Sequence, residues 1–434
     1  MDTSSKSLSK HWGIRFFSIW SGQAFSLVGS GLVQFALVWY LTRQTGSATV
    51  LATATLVAML PQITLGPVAG AMVDRFNRRM VMIVADGAIA LGTLLLVYLF
   101  ASDLIQIWHI YTILMLRSLG QAFHYPAMQA STTLMVPENQ LTRISGLNQT
   151  LMGIINIVAP PSGALLLEVL PIQGVLFIDV GTALMAILPL LFIPIPQPER
   201  FGPQSQEGDT PPAGLFEDVR AGFRYVIGWP GLLGILILAT VINFLLTPTN
   251  ALIPLLITKH FGLGAMAFGL MDSAWGLGVI LGGVILSAWG GFQRKVVTSM
   301  LGVIGIGLGI TIVGLTPAHL YWVAVASMAF CGIMNPITNG PLLALVQSSV
   351  RPDMQGRVMA LIISAASAMS PLSLMVAGPI SDWVGIRTWF WLGGILCLLM
   401  GIGAFSIPTI MNIESNNGVS KAPVDQQPIT ALLK

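Results

Sequence analysis

Twelve long apolar runs, separated by short polar segments, dominate this sequence of 434 residues. A helix needs about 20 largely apolar residues to cross the hydrocarbon core of a bilayer. The runs lie at 14–41, 48–72, 80–101, 106–135, 144–168, 173–195, 230–258, 265–289, 296–316, 319–349, 357–380 and 387–410. Only 9% of the residues are charged, against about 25% in soluble domains, so a soluble fold could not bury this apolar surface. The sequence predicts an all-α polytopic membrane protein with twelve transmembrane helices.

The runs form two groups of six whose sequences correspond. Pro126 and Pro137 have counterparts in Pro341 and Pro352, each 215 residues further along the chain. A parallel repeat of this kind is typical of transporters whose substrate binds between two halves near the membrane midplane. The predicted units are an N-terminal six-helix half at 1–195, a linker at 196–229, a C-terminal six-helix half at 230–410 and a tail at 411–434.

The linker has two parts of different composition. Residues 196–212 are rich in Pro, Gln, Glu and Gly, which predicts a flexible segment. Residues 215–227 repeat apolar side chains at helical spacing with charges on the opposite face, so we expect an amphipathic cytoplasmic helix at the membrane surface. A plain extension of helix 7 is the alternative. The polar tail is expected to be disordered.

Basic residues predict the orientation of the chain. With the N-terminus in the cytoplasm, sixteen of the 20 Lys and Arg residues fall in cytoplasmic segments and three in outside loops, while Arg117 lies within helix 4. Cytoplasmic segments of membrane proteins carry an excess of Lys and Arg. We therefore expect both termini in the cytoplasm.

Motifs of several other classes of protein are absent from the sequence. It has no Gly-x4-Gly-Lys-Ser/Thr loop for ATP and no His-Glu-x2-His zinc site. Cys331 and Cys397 lie inside apolar runs, where neither a disulfide nor a metal site is indicated. The net charge of +3 comes from the loops and does not indicate a nucleic-acid partner. We expect a protein that is not an enzyme and uses no cofactor or metal.

A short basic loop joins the second and third runs. Gly70 is followed by Asp74 and Arg75, and then by Arg78 and Arg79. Asp74 comes directly after helix 2, and we expect it to bond to the N-terminus of helix 11, where a helix carries a partial positive charge. That contact would steady the outward-open state of a transporter with two moving halves.

Charged side chains inside apolar runs are costly, so they indicate either pairing or function. Asp86 lies about a turn and a half into helix 3, and its position near the basic loop predicts a structural pair with Arg78 or Arg79. Arg117 in helix 4 needs an anionic or carbonyl partner inside the bundle. It belongs either to a structural ion pair or to a site where it modulates a nearby acid.

Three further acids are candidates for coupling transport to protons. Asp179 lies in helix 6 and Asp272 in helix 8, both in the outer half of the membrane, and Glu168 lies at the outer end of helix 5. A carboxyl group removed from water holds a proton more readily and can exchange it near neutral pH. Asp272 is the preferred candidate, because glycines surround it in sequence and ease backbone movement, and Asp179 is the second.

Polar side chains recur at helical spacing on helices 1, 4, 7 and 10, each the first helix of a three-helix unit. We expect them to line a central cavity; the alternative is that they only hydrogen-bond neighbouring helices. The candidates are Gln23, Ser30, Gln34, Gln121, His124, Asn243, Thr247, Asn250, Asn335 and Asn339. Aromatic residues accompany these stripes, and an aromatic cavity with few charges suits a bulky amphiphilic ligand.

Several stretches within residues 12–410 resemble one known family. They are Trp20-Ser21-Gly22-Gln23-Ala24, Thr45-Gly46-Ser47-Ala48, Val73-Asp74-Arg75, Ala85-Asp86, Arg117-Ser118-Leu119-Gly120-Gln121-Ala122-Phe123-His124-Tyr125-Pro126-Ala127 and Val136-Pro137-Glu138-Asn139-Gln140-Leu141-Thr142. With the basic loop, they resemble the drug:proton antiporters of the major facilitator superfamily, most closely its macrolide-efflux group. Residues 159–164 in helix 5 are similar in part to the Gly-Pro-x2-Gly-Gly pattern of the antiporter branch.

This resemblance implies a monomer in the bacterial plasma (inner) membrane that exports amphiphilic drugs, macrolide-like or of several kinds. Export would be by proton antiport through alternating access, so the implied partners are a small amphiphilic substrate, protons and the lipid bilayer. A lipid or lysolipid flippase of the same fold is the alternative function. A non-transporting membrane sensor is a less favoured alternative.

Overall fold

The computed structural model of this chain describes residues 12–197, 223–350 and 354–414. The segment before Trp12, most of the 196–229 linker and the tail after Glu414 lie outside these residues. So do the side chains of Asp74 and Arg357, and with them the predicted bond from Asp74 to the start of helix 11.

Twelve helices of 20 to 34 residues make up the described part of the chain. They are α1 (Trp12–Thr45), α2 (Ala48–Arg75), α3 (Arg78–Ala101), α4 (Ile107–Met135), α5 (Leu141–Val169), α6 (Ile172–Phe192), α7 (Pro230–Leu256), α8 (Ala265–Trp289), α9 (Lys295–Leu315), α10 (Tyr321–Ser349), α11 (Gln355–Val384) and α12 (Ile386–Phe405). A π-helical turn, Ile257–Phe261, extends α7, and a short helix, α13 (Pro408–Met411), follows α12.

The prediction of an all-α membrane protein is confirmed. Ten of the described helices are long and apolar enough to cross a membrane. The helices α4 and α11, of 29 and 30 residues, are not among these ten. The polar side chains of α4 include Arg117, Gln121 and His124, which are spaced along one face of the helix.

Side-chain caps begin α2 and α3 directly after short loops. The Ser47 hydroxyl accepts from the Val50 amide at the start of α2, and the Asn77 side chain accepts from the Met80 amide at the start of α3. Each cap satisfies a backbone donor that a helix N-terminus leaves without an intrahelical partner. Neighbouring helices can therefore follow one another after only two residues.

Each half repeats the same set of helix contacts. In the N-terminal half, α1 packs against α5 and α6, α3 against α4 and α6, and α2 against α4. In the C-terminal half, α7 packs against α11 and α12, α9 against α10 and α12, and α8 against α10. Adding six to each helix number converts the first pattern into the second, so the packing follows the repeat that the prolines indicate.

Two seams join the halves, one between α2 and α11 and one between α5 and α8, and the repeat relates them to each other. In the α5–α8 seam, Ser273 Oγ donates to the Ile157 carbonyl oxygen at 2.5 Å. In the α2–α11 seam, a Cβ atom added to Gly378 would lie 2.9 Å from the Thr49 Cα atom. Only glycine at position 378 allows the two backbones this approach, because packed interiors leave no spare volume.

The seams close the molecule on one side of the membrane. We call the side where α1 begins the near side and the opposite side the far side. On the far side, one apolar cluster draws residues from both halves, and the Phe35 ring stacks on the Phe268 ring with centroids 4.8 Å apart. Toward the near side, the apolar clusters belong to one half each, around Ile19 and Met82 in the first half and around Leu232 in the second.

The folded C-terminal half continues past the predicted start of the tail at residue 411. Ile413 is buried, and the Glu414 carboxylate accepts from the Val296 amide at the start of α9, 3.1 Å away. At the other end of this half, residues 223–227 are helical, which is the described part of the predicted amphipathic helix.

Candidate functional site

A cavity of about 330 Å³ lies in the near-side part of the N-terminal half, between α1, α4 and α5. Three of the predicted cavity residues, Gln23, Gln121 and His124, line it. Trp20 and Tyr125 contribute aromatic walls. Apolar surface with a few convergent polar groups is the usual lining of a site for a small organic ligand.

The α5 wall of this cavity was missed in the sequence analysis. Asn148 lines the cavity and accepts from the Trp20 indole nitrogen at 2.7 Å. Ser145 and Gln149 line the same wall. Residues three and four apart share a helix face, so these polar side chains gave the same kind of signal as the stripes on α1 and α4.

A buried cluster of Gln23, Asp86 and His124, which we call the near layer, borders this cavity through Gln23 and His124. Gln23 Nε2 donates to Asp86 Oδ2 at 3.0 Å, and His124 Nε2 lies 3.4 Å from Asp86 Oδ1. Asp86 and His124 are only 4% and 6% exposed. The imidazole is within ion-pair distance but not in hydrogen-bond geometry, so His124 Nε2 has no hydrogen-bond partner among the described residues.

The predicted pairing of Asp86 with Arg78 or Arg79 is therefore wrong. Arg78 Nη1 donates to the Ala130 carbonyl oxygen at 3.1 Å, and the Arg79 guanidinium donates to backbone carbonyl oxygens near the end of α6. The prediction chose Arg78 and Arg79 as partners of Asp86 because they are close to it in sequence. The actual partners of Asp86 come from α1 and α4, because the side chain points into the bundle.

A second polar cluster, the far layer, lies deeper in the same bundle and consists of Ser30, Thr93, Arg117 and Asp179. Arg117 Nη1 donates to Asp179 Oδ2 at 2.6 Å, and their side chains are 9% and 1% exposed. Thr93 Oγ1 lies 3.0 Å from Asp179 Oδ2, and Ser30 Oγ donates to Asp179 Oδ1 at 3.3 Å. The partner that Arg117 required is thus Asp179, and both charges are compensated. Ser30 lies in this layer and does not line the cavity described above.

Members of the two layers lie seven residues apart on three helices, although the near-layer acid, Asp86, is on α3 and the far-layer acid, Asp179, is on α6. Gln23 and Ser30 lie two turns apart on α1, Asp86 and Thr93 on α3, and His124 and Arg117 on the antiparallel α4. Side chains seven apart lie on one face of a helix, one above the other. The near layer borders the cavity, whereas Thr93, Arg117 and Asp179 of the far layer are buried and do not line it.

Close packing of α1 on α6 brings the members of the far layer together. A Cβ atom added to Gly29 would overlap the Thr182 hydroxyl and would lie 3.2 Å from the Asp179 Cα atom. Small residues allow helices in a membrane to approach closely and to hydrogen-bond across their interface. Gly29 therefore places Ser30 within reach of Asp179.

The other members of the basic loop lie at the near side. Gly70 is in the last two turns of α2, and the Arg75 side chain is exposed at the end of that helix. The proposed role of this loop in conformational change stays a prediction.

Most of the remaining cavity candidates lie on α7 and α10, away from the cavity in the N-terminal half. Thr247 and Ser370 share a hydrogen bond of 3.1 Å between α7 and α11, while Asn243 donates to the Ala239 carbonyl oxygen of its own helix. The side chains of Gln34, Asn250 and Asn339 are exposed, and Asn335 is half-buried. Gln34 follows Leu27 by seven residues, so it continues the cavity-lining face of α1 toward the far side.

The two remaining coupling candidates, Asp272 and Glu168, lie on different helices and in different surroundings. Asp272 lies half-buried on α8, one turn after Phe268, with no basic side chain within ion-pair distance among the described residues. Glu168 is exposed at the end of α5 and lines a far-side cavity of about 390 Å³ together with Arg43 and Trp39. Asp272 thus follows, by one turn, a ring that takes part in the far-side closure.

A further acid, Asp382 at the end of α11, was missed in the sequence analysis. Its carboxylate accepts from the Ala48 and Thr49 amides at 2.7 and 2.9 Å, and from the Ser47 and Thr49 hydroxyls at 2.8 and 2.7 Å. It therefore caps the N-terminus of α2 across the two halves. The spacing Gly378-x3-Asp382 repeats Gly70-x3-Asp74, and that likeness could have drawn attention to it.

The family model of the Major Facilitator Superfamily matches residues 19–373. The chain belongs to this superfamily, and it is a multi-pass membrane transporter rather than an enzyme.

Among its relatives is Macrolide efflux protein A of Streptococcus pyogenes, which is 34% identical over 405 residues, or 93% of this chain and 98% of that protein. The Multidrug efflux pump Tap of Mycobacterium tuberculosis is 27% identical over 403 residues, or 89% of this chain and 91% of that protein. The crystal structure of the nucleoside transporter NupG superposes with a TM-score of 0.69 at 12% identity and covers 90% of this chain and 98% of its own. At 12% identity, this similarity supports a shared fold and nothing further about the present chain.

Proposed function

We propose that this protein exports small amphiphilic drugs, macrolide-like or of several kinds, by proton antiport through alternating access. The observation that carries this proposal is the near-side cavity of about 330 Å³ beneath a closed far side. Relatives that are named for macrolide and multidrug efflux support the drug substrate.

Positive charge supports the sidedness of the proposal. Arg75, Arg78 and Arg79 lie at the near side, where the basic residues of the chain concentrate, and such an excess marks the cytoplasmic face. A cavity open toward the cytoplasm is the loading state of an exporter. Opening of the α2–α11 and α5–α8 seams on the far side would then release the substrate outside.

The lining of the cavity supports an amphiphilic substrate. Trp20 and Tyr125 offer flat apolar surface, while Gln121 and Asn148 offer amide groups. Gln34, on the same face of α1, would extend these contacts as the substrate moves toward the far side. We assign Asn243, Thr247, Asn250, Asn335 and Asn339 as the C-terminal half's contribution to that path.

Asp272 is the proposed acid that senses the far side. It follows Phe268 by one turn, and Phe268 stacks between the halves in the closed structure. When the far side opens, Asp272 would meet the outside solution and take up a proton. Once the far side closes and the near side opens, Asp272 would release that proton to the cytoplasm.

Growth of a pump-deficient bacterial host tests the proposal. Expression of the protein should raise the macrolide concentrations that inhibit growth, and an uncoupler that abolishes the proton gradient should cancel this protection. Protection that survives the uncoupler would contradict proton antiport. A loss of lipid asymmetry without any drug protection would instead favour a flippase.

A further inference from the structure

The far-side cavity of about 390 Å³ lies between the two halves of the closed structure. The N-terminal half contributes the end of α1, the end of α5 and the start of α6, and the C-terminal half contributes Gly264 and Ala265 at the start of α8. Trp39, one of the lining residues, stacks on the Phe268 ring of α8 with centroids 6.4 Å apart. Opening of the far side would separate these walls, so the complete cavity belongs to the closed conformation.

Two opposite charges line this cavity without pairing. Arg43 and Glu168 are both lining residues, yet neither side chain forms an ion pair or a hydrogen bond within the described part of the chain. Other far-side basic residues are placed elsewhere: Lys259 lies against Gly46 outside the lining, and the Arg387 guanidinium donates to carbonyl oxygens at the end of α9. A ligand that carries both an anionic and a cationic group would match the two free charges.

Two uncharged donors of the same cavity also lack partners. The Trp39 side chain is only 8% exposed, and its indole nitrogen has no hydrogen-bond partner among the described residues. The Tyr40 hydroxyl, on the same helix, likewise bonds to no described residue. Buried indole N–H groups usually find an acceptor. An anion in the cavity would supply the acceptor that the protein does not.

The start of α8 provides a further site for the anionic group. Gly264 is the N-cap of this 25-residue helix, and no side chain caps it. The first amides of a helix have no intrahelical partners, and their partial positive charge favours a phosphate. A guanidinium binds a phosphate through two parallel hydrogen bonds. A phosphate between Arg43 and the start of α8 would therefore link the N-terminal half to the C-terminal half.

The surroundings of Glu168 indicate where such a ligand comes from. Leu165 and Val169 lie one turn apart on α5, on either side of Glu168 in sequence, and both are exposed. Exposed apolar side chains at the end of a membrane-spanning helix face acyl chains. Trp and Tyr residues concentrate at the depth of the lipid headgroups. A charged cavity with aromatic walls, beside lipid-facing leucine and valine, suits the headgroup of a phospholipid.

We propose that the far-side cavity binds the zwitterionic headgroup of phosphatidylethanolamine from the outer leaflet, and that the bound lipid holds the far side closed. The phosphate accepts hydrogen bonds from Arg43, from the Trp39 indole and from the start of α8, while the ammonium group donates to Glu168. Because the headgroup contacts both halves, it stabilises the conformation in which they meet. The inference takes its sidedness and its moving halves from the proposed function, and it adds a lipid that is neither substrate nor proton.

Native mass spectrometry of the delipidated protein tests the site with three probes. Phosphatidylethanolamine and phosphatidylcholine have the same charges, but the choline nitrogen has no N–H group to donate to Glu168. Wild-type protein should therefore bind a single phosphatidylethanolamine about tenfold more tightly than phosphatidylcholine. Soluble phosphoethanolamine, which has the headgroup without the acyl chains, should bind far more weakly than the lipid.

Two variants and a matched control locate the binding. Arg43→Gln and Glu168→Gln should each weaken phosphatidylethanolamine binding about tenfold, because each removes a hydrogen bond between charged groups. Glu168→Gln should also erase the preference for phosphatidylethanolamine over phosphatidylcholine. Both side chains are exposed, so we expect both variants to fold. Asp103→Asn, which removes an exposed far-side carboxylate outside the cavity, should bind as wild type.

Unchanged phosphatidylethanolamine binding in both cavity variants would overturn the inference. Soluble phosphoethanolamine that binds as tightly as the lipid would overturn the assignment to the bilayer and would indicate a site for a free zwitterion.

Spin labels test whether the lipid holds the far side closed. Ser102→Cys and Ala318→Cys place labels at exposed far-side positions of the two halves. In nanodiscs, replacing phosphatidylcholine by phosphatidylethanolamine should enrich the shorter distance in otherwise wild-type protein and should have no effect in Glu168→Gln. Equal distance distributions in the two lipids would contradict a lipid that holds the halves together.

These measurements use neither drug nor proton gradient, so their failure would leave drug export as proposed above intact. A protein with lipid-dependent distances that gives no drug protection in cells would instead refute the proposed function and keep the lipid site.

Discussion

Replacement of Arg117 by methionine is expected to destabilise the N-terminal half by about 3–5 kcal/mol, because it strands the buried Asp179 carboxylate. Asp179→Leu should cost a similar amount by stranding the guanidinium. The hydroxyls of Ser30 and Thr93 near Asp179 cannot replace a positive charge. Each single variant should therefore show a marked loss of folded protein in detergent, measured by thermal unfolding monitored with size-exclusion chromatography.

The double variant Arg117→Met, Asp179→Leu provides the matched control for this prediction. Replacing both members of a buried ion pair by apolar groups of similar size is often neutral for stability or even favourable. The double variant should regain most of the lost stability. If it also retains transport, the pair is structural; if it folds but does not transport, the pair takes part in transport as well as in stability. Single variants as stable as wild type would contradict the burial of this pair.

Replacement of Asp382 by asparagine is expected to shift the protein toward a conformation open on the far side. The change removes the charge that faces the N-terminus of α2 and weakens its bonds to the Ala48 and Thr49 amides. A capping interaction contributes about 0.5–2 kcal/mol, and a charge at a helix terminus adds about 0.3–1 kcal/mol. A shift of that size changes the ratio of two conformations roughly tenfold.

Distance measurements between spin labels check this expectation. Labels at Ser102→Cys and Ala318→Cys would report the separation of the halves, because both positions are exposed at the far side and lie in different halves. The native Cys331 and Cys397 are buried and contribute little labelling. Asp382→Asn should enrich the longer distance, while Glu138→Gln, which removes an exposed carboxylate at the near side, should not. Identical distance distributions in Asp382→Asn and wild type would contradict the expectation that Asp382 stabilises the conformation closed on the far side.

The sequence predicted the architecture because a bilayer constrains it so strongly. Twelve runs of spanning length, a repeat of 215 residues and short loops leave few alternatives to two six-helix halves. The cavity was partly predicted for a similar reason. Polar residues that are costly in lipid must face the interior, and the stripes on α1 and α4 identified Gln23, Gln121 and His124.

The partners of Asp86 could not be predicted from the sequence. Helical spacing shows which residues share a face of one helix, but not which faces of separate helices meet. Asp86 bonds to Gln23 at a separation of 63 residues, and Arg117 pairs with Asp179 at a separation of 62. Once α1, α3 and α4 are placed side by side, the shared seven-residue interval makes both layers evident.

Asp382 was missed for a different reason. The acids predicted to be functional lie in the apolar runs or the basic loop, whereas Asp382 lies at a helix end between the runs 357–380 and 387–410. Its role depends on the backbone amides at the start of α2, more than 330 residues away. Nearly every residue has a backbone amide, so the sequence does not show which of them will bind a carboxylate. The two helices that it joins are related by the repeat to α5 and α8, the helices of the other seam.

Proteoliposomes with an acidic interior give the most direct test of proton-coupled export. Wild-type protein should accumulate a radiolabelled macrolide above the level of protein-free vesicles, which accounts for passive trapping of a weak base, and nigericin should abolish the difference. Asp272→Asn should exchange labelled for unlabelled drug at equal pH but should not accumulate it. If nigericin does not reduce accumulation by the wild-type protein, proton antiport is contradicted. If Asp272→Asn accumulates the drug as the wild type does, the proposed role of Asp272 is contradicted.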